Sequence, residues 1–344
     1  MENEEKDTAP AADRVALSGE PGRGPVVRER RYRRKVHAGL VRLRRRRLRQ
    51  RRFVLSLFVA VCALVGLWAA EELRPEPAAV ERAVAPVTGE RLVPPAPDGD
   101  LEARIRAIAE IYPGEFGVVV RDPRTGETAG LNPDQTFTAA SLAKLPVLLA
   151  LYGEAADGRL DLEEKIVMEA QDVQLYGAGV LQNYPVGHEM TLRECAELLI
   201  KESDNTAWVM LERRLGRERI EHEIESLKLS GTDYAALTTT PEDVLRMLEA
   251  IADPDHTTPE LSAEMLAHMT DTAYEGRIPE PLPKDVRVAH KVGTLNDTRS
   301  DAAIVFRQPG DRVDYMIVVI ASGGTERSAT DAIRRISLSA YEAL

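Results

Sequence analysis

Hydrophobic positions along this chain fall into three kinds of pattern, each predicting a different element. Over residues 101–112, LEARIRAIAEIY, the apolar residues Leu101, Ile105, Ile108 and Ile111 recur near a 3.6-residue period, which predicts a helix. β-Branched runs predict strands. Phe116 to Arg121 and Glu127 to Leu131 flank the turn Asp122–Gly126 as a hairpin. Val286 to Val292, Ala302 to Arg307 and Tyr315 to Ala321 follow near the C-terminus, with Gln308-Pro309-Gly310-Asp311 joining the last two. Ser328 to Leu344 returns to helical spacing, with Ile333, Ile336, Leu338 and Tyr341 on one side. From Ala140 to Thr272 the pattern reads as mostly helical. Thr191 and Glu194 form a capping-box signature ahead of an apolar stripe at Leu192, Cys195, Leu198 and Leu199, and Thr240-Pro241-Glu242-Asp243 marks another helix start. Two strands, a helical middle, three strands and a closing helix predict an α/β (α+β) domain: one antiparallel five-stranded sheet flanked by helices, with a helical subdomain.

The third pattern is Phe53 to Ala70, FVLSLFVAVCALVGLWAA, eighteen residues without a charge. As a helix it is about 27 Å long, close to the roughly 30 Å of a bilayer's hydrocarbon layer. The 344 residues carry a net charge of −11, but residues 1–52 hold 17 basic and 7 acidic side chains, a net of +10, leaving −21 for the rest. The positive-inside rule then puts the N-terminus in the cytoplasm and everything after Ala70 outside, with 53–70 as an uncleaved signal anchor in the lipid bilayer. Beside a membrane span the basic block needs no nucleic-acid partner. By composition, residues 1–52 are an Arg-rich cytoplasmic tail, disordered at least through residue 27. Residues 71–100, with six prolines, are a semi-rigid linker, and 101–344 is the exported domain. The expected localisation is therefore the cell membrane, single-pass, with the domain extracytoplasmic.

Composition narrows the chemistry. Two cysteines, Cys62 and Cys195, exclude a disulfide scaffold, and neither has a second Cys or a His at metal-ligand spacing, so no metal and no cofactor is expected. The six histidines lack any local catalytic signature, and no Gly-x-Ser-x-Gly elbow, His-Glu-x-x-His, Walker loop or Gly-x-Gly-x-x-Gly is present. Ser141 and Lys144 are different. They lie three apart in an apolar segment, hence on one face of a buried helix, where desolvation drives a lysine toward the neutral amine that accepts a proton. A serine with such a base in reach is suited to acyl transfer. Ser203-Asp204-Asn205 interrupts two amphipathic stretches as a polar loop, where Ser203 could pass a proton to a leaving nitrogen. Lys291-Val292-Gly293-Thr294 ends a strand, with Lys291 able to hold a carboxylate and Gly293 permitting close backbone approach by a ligand.

These three patterns, in this order, resemble the Ser-x-x-Lys, Ser-Asp-Asn and Lys-Thr-Gly set of the class A β-lactamase and penicillin-binding serine hydrolase superfamily, over about residues 105–340. The resemblance implies a β-lactamase-like fold. It makes Ser141 the acylated nucleophile, Lys144 the proton acceptor or relay and Ser203 the proton donor. Asn205 would contact the substrate amide, Lys291 and Thr294 its carboxylate, and the backbone N–H groups of Ser141 and Thr294 would form the oxyanion hole. Arg299 is a further carboxylate candidate by position alone. Two departures stand out. Val292 replaces the motif's hydroxyl residue, and no Glu-x-x-Leu-Asn, whose Glu positions the deacylating water, occurs between Asn205 and Lys291. The nearest acids, Asp233 and Glu242, read as a turn residue and a first-turn helix acid.

Acylation is thus expected, and deacylation lacks the Glu that positions its water. The first reading is a membrane-anchored serine hydrolase that opens β-lactam amides through an acyl-serine intermediate, with slow turnover. A penicillin-binding D,D-peptidase acting on peptidoglycan peptides is the second, and a non-turnover sensor of β-lactams or wall fragments is the third.

Overall fold

The computed structural model describes residues 99–307 and 312–344, so the tail, the apolar run at 53–70, the linker to residue 98 and the 308–311 turn lie outside the described residues. Among the described residues no helix is long and apolar enough to cross a membrane.

Helix α1 (Leu101–Ile111) starts where the Asp100 carboxylate accepts from Ala103 N, and it buries Ile105 and Ile108. Strands β1 (Glu115–Arg121) and β2 (Thr128–Leu131) form the expected hairpin. The two-residue β3 (Phe137–Thr138) leads into a 3-10 turn at Ala140–Lys144 and then helix α2 (Leu145–Ala156), buried from Leu145 to Tyr152. Next come β4 (Lys165–Val167) and β5 (Glu189–Thr191), which pair with each other, and helix α3 (Leu192–Lys201), opened by the predicted Thr191–Glu194 capping box. Helices α4 (Asn205–Leu215) and α5 (Arg217–Ser226) follow. β6 (Thr238–Thr239) pairs with β3, and α6 (Pro241–Ala252) starts at the Thr240 cap as expected. After α7 (Pro259–His268) the chain enters β7 (Arg287–Leu295), β8 (Thr298–Phe306) and β9 (Tyr315–Ser322), and it closes with α8 (Glu326–Ala343).

The five long strands make one antiparallel sheet in the order β2-β1-β9-β8-β7. Alternation along each strand divides the core in two. Val119, Ala289, Ala302, Ile304, Val318 and Ile320 meet the helical side built on α2, α3, α4 and α6. Val118, Val120, Ala303, Val305, Ile317 and Val319 meet α1 and α8 on the other face. Two layers of helix on one sheet bury both sheet faces, which is why these strands read as nearly unbroken apolar runs.

Several expectations need correction. The middle is less helical than its pattern, because residues 157–191 form turns, a short ribbon and a 3-10 turn at Leu181–Asn183. Strand β8 begins four residues earlier than predicted, at Thr298, because its first half buries the polar residues Ser300 and Asp301 instead of an apolar run. Leu338 lies off the buried face of α8, whose core side is Ala332, Ile333, Ile336 and Ala340.

Candidate active site

The site forms where the free edge of β7 faces the 3-10 turn and the α3–α4 junction. Ser141 and Lys144 lie in that turn, not in an α-helix as predicted, and in 3-10 geometry residues i and i+3 eclipse, so the two side chains stack directly. Lys144 Nζ is 3.3 Å from Ser141 Oγ, 3.2 Å from Ser203 Oγ and 2.8 Å from Asn205 Oδ1, and it also meets the Ser203 carbonyl. Lys291 Nζ approaches the same Ser203 hydroxyl from the sheet at 2.9 Å. Ser203 Oγ is therefore shared by two lysines that stand 59 and 88 residues away from it in sequence.

Both lysines are almost wholly buried. Burial brings the Lys144 ammonium from 10.5 down to about 7, with the Asp204 carboxylate opposing, so near neutrality a large fraction of Lys144 is free amine. Lys291 is lowered well below its ordinary value, first by burial and then by the charge of Lys144. An arriving carboxylate would restore the Lys291 ammonium, which couples anion binding to the protonation of the pair.

Local backbone geometry supports this arrangement. Ala140, just before Ser141, and Ser203 both hold φ near +50° (48° and 51°), a conformation that costs a non-glycine residue on the order of 1–2 kcal/mol and that collects at functional sites. Asn205 is not in a loop. It opens α4, and Asp204 is that helix's N-cap. Gly293 lies inside β7, not at its end, and the approach it permits is internal: a Cβ there would stand 2.3 Å from Ser300 Oγ and 3.2 Å from the Ala139 carbonyl. Any larger residue would push the Ser141 turn away from the strand. The backbone N–H of His290 points away from β8 to the Met269 carbonyl, and strand alternation turns the N–H of Thr294 the same way, toward the free edge.

Ser141, Asn205 and Thr294 line a cavity of about 400 Å³, whose opposite wall is Trp208, Glu212, Arg217 and Tyr234. Trp208 Nε1 donates to Tyr234 Oη at 2.7 Å, Tyr234 donates to Glu212 at 3.3 Å, and Arg217 pairs with Glu212 at 3.2 Å. Glu212 is the one acid lining this cavity among the described residues. It is seven residues, about two helical turns or 10 Å, along α4 from Asn205 and is already paired. Asp233 and Glu242 lie elsewhere, as their sequence context suggested: Asp233 caps a turn through Ala236 N, and Glu242 pairs with Arg121 at 2.9 Å.

Arg299 is held by the carbonyls of Asn296 and Thr298 and lies 3.5 Å from Glu326. The guanidinium that bonds Thr294 is that of Arg277, which periodicity did not mark because it sits in an irregular segment. Its Nη1 donates to the Gly293 and Ser300 carbonyls, at 2.8 and 2.6 Å, and its Nη2 to Thr294 Oγ1 at 2.6 Å.

A serine stacked on a buried, half-neutral lysine, with a second hydroxyl between two lysines, is an arrangement suited to acyl transfer. Comparison with known families agrees, since the Beta-lactamase enzyme family matches residues 100–344. The chain belongs to this β-lactamase family. Among its relatives, Beta-lactamase 1 of Streptomyces cacaoi is 27% identical over 65% of this chain and 77% of that one. The β-lactamase of Bacillus licheniformis is 25% identical over 62% and 74%. Of solved structures, PBP-A is 26% identical, covering 71% of this chain and 95% of that one at a TM-score of 0.65, and a mutant of PBP-A was solved as an acyl-enzyme complex with penicillin G. A β-lactamase from Sphaerobacter thermophilus is 27% identical, covering 70% and 95%, at a TM-score of 0.64. The fold and the serine-hydrolase class of this β-lactamase-family chain follow.

Proposed function

We propose that this member of the family opens β-lactam amides by acylating Ser141 and releases the product slowly. The observation that carries the reading is the junction of Ser141, Lys144, Ser203 and Lys291 through three contacts of 3.3 Å or less. Neutral Lys144 takes the Ser141 proton as Oγ attacks the carbonyl. The N–H groups of Ser141 and Thr294 receive the oxyanion, each worth on the order of 3 kcal/mol. Collapse breaks the C–N bond, Ser203 Oγ–H protonates the departing nitrogen, and a lysine ammonium reprotonates Ser203. Lys291, Thr294 Oγ1 and Arg277 receive the substrate carboxylate, and the Thr294 hydroxyl takes over the task that Val292 cannot perform.

Hydrolysis of the ester needs a water with a base beside it, and the cavity's acid is paired and two turns away. Incubation with benzylpenicillin is therefore expected to give a protein adduct of one added β-lactam mass that forms within minutes and persists for hours, absent in Ser141→Ala. Rapid multiple turnover without a detectable adduct would reject slow release, and an equal adduct on Ser141→Ala would reject the nucleophile. The same missing base favours, as a second reading, a D,D-peptidase-like enzyme on peptidoglycan peptides, which cleavage of a D-Ala-D-Ala peptide would reveal.

We further propose that residues 53–70 anchor the chain with the domain outside the cytoplasm, on the strength of the charge asymmetry about that run. A periplasmic-active reporter fused after Leu344 should be active and one fused at residue 20 silent; the reverse pattern would exclude this topology.

A further inference from the structure

Behind β7, on the face opposite Lys291, lies a buried cluster the acyl-transfer steps do not use. His290 is fully buried, as is Asp301, its diagonal neighbour on β8. Its Nδ1 is 2.9 Å from Asp301 Oδ1, and its Nε2 is 3.1 Å from both Glu275 Oε1 and Thr272 Oγ1. The same two carboxylates hold the irregular segment after α7: Asp301 Oδ2 accepts from Ile278 N at 2.9 Å, and Glu275 Oε1 from Thr272 N at 2.7 Å. The His290 backbone adds a bond to Met269 O at 2.7 Å.

Arg277 lies between Glu275 and Ile278, both fixed by this cluster. Its guanidinium is the group that reaches Thr294 at the carboxylate end of the site. We infer that His290, as an imidazolium, clasps residues 269–278 to β7 and β8 and is a positioning residue for recognition of the substrate's carboxylate through Arg277. The inference rests on the acyl-serine reading given above.

The two carboxylates favour the charged form. Each ring nitrogen faces a carboxylate oxygen, so a proton on both satisfies both acids, whereas in a neutral ring Nε2 could accept only from the Thr272 hydroxyl, beside the Glu275 anion. The groups about the ring are Asp301 from β8 and Glu275 and Thr272 from the segment, while Arg277 faces Asp301 and Lys291 leaves the strand on the other face. Burial alone would lower the imidazolium's pKa, but Asp301 and Glu275 outweigh it and push it up to about 9. Because the folded value is raised, the clasp contributes fully below about pH 6.5 and is lost as pH rises through about 9.

A pair of acyl donors separates positioning from general structural support: benzylpenicillin, and its methyl ester, which has the same reactive amide without the anionic carboxylate. With the full-length protein, His290→Gln and Glu275→Gln are each expected to lower the acylation rate constant for benzylpenicillin at least tenfold while that for the ester stays within twofold. Glu275 is half exposed, so its variant keeps the test open if His290→Gln fails to fold. In the wild type the acid-to-ester ratio should fall through about pH 9, and in His290→Gln that limb should vanish. Nitrogen-15 shifts of the His290 ring should report an imidazolium at pH 8. Equal losses for both donors, no loss for either, or a neutral ring at pH 8 would overturn the inference. A wild type acylated by neither donor would end the acyl-serine reading itself, and this inference with it.

Discussion

Lys144→Ala is expected to slow acylation of Ser141 by a β-lactam about 10²- to 10⁴-fold, the range for removal of a positioned general base. Stopped-flow mass or absorbance measurements of adduct formation check this directly. The effect should be kinetic, because the variant removes the burial penalty of a charge together with its hydrogen bonds. The shift from 10.5 to about 7 corresponds to roughly 5 kcal/mol against the folded ammonium in acid. That penalty is fully present below about pH 7, where the lysine is charged both folded and unfolded. It is relieved as pH rises from about 7 to 10.5, where the unfolded chain binds more protons. The wild-type acylation rate should accordingly climb with pH through about 7 as Lys144 loses its proton, and Lys144→Ala should lack that limb. A wild-type rate flat from pH 5.5 to 8.5 would remove Lys144 as the base.

The second large effect belongs to Asp204, between Ser203 and Asn205. Its buried carboxylate accepts four backbone N–H bonds: Oδ1 from Thr206 at 2.8 Å and Ala207 at 3.0 Å, Oδ2 from Val180 at 2.6 Å and Leu181 at 2.8 Å. It thus caps α4 and at the same time draws the irregular 178–181 segment onto it. Gly179, at φ +119°, is shaped to this contact, since a Cβ would sit 2.3 Å from the Asp204 Cγ. Asp204→Ala orphans all four donors in a buried place, each costing about 1–3 kcal/mol. With partial relaxation, a loss of about 4 kcal/mol or more is expected, read as a lower urea midpoint at unchanged m. Asp204→Asn should fall between, because its amide oxygen can still serve one pair of donors while its NH₂ opposes the other. A midpoint within experimental error of wild type for Asp204→Ala would show that the cap does not organise this segment.

How much of this was legible in the sequence varies by the range of the interaction responsible. Helix α1, the β1–β2 hairpin, the Thr191 capping box, the Thr240-Pro241 start and the closing helix all follow from contacts within a few residues, and local pattern placed them nearly to the residue. Residues 157–191 read as helical in the sequence but are not, because their few apolar positions anchor a ribbon whose partner strands are more than twenty residues apart. The start of β8 is not legible because Ser300 and Asp301 are buried under contacts from distant residues, Arg277 to the Ser300 carbonyl and Ile278 N and His290 to the Asp301 carboxylate, and no period along the strand announces that.

The same division holds at the site. Spacing alone put Ser141 beside Lys144, though in a 3-10 turn, and motif order brought in Ser203, Asn205, Lys291 and Thr294. That the two lysines share one hydroxyl, that Gly293 yields to the Ser141 turn, and that Arg277 rather than Arg299 bonds Thr294 depend on segments brought together across the sheet edge. Sequence by itself determined the order of elements, the charge asymmetry about 53–70 and the residue types able to do acyl transfer, because propensity, capping and net charge are properties of neighbours along the chain. Tertiary structure alone decided the meeting of both lysines on Ser203, the paired state of Glu212 and the clasp at His290. Desolvation and hydrogen-bond geometry depend on what packs in three dimensions, and no linear pattern encodes that.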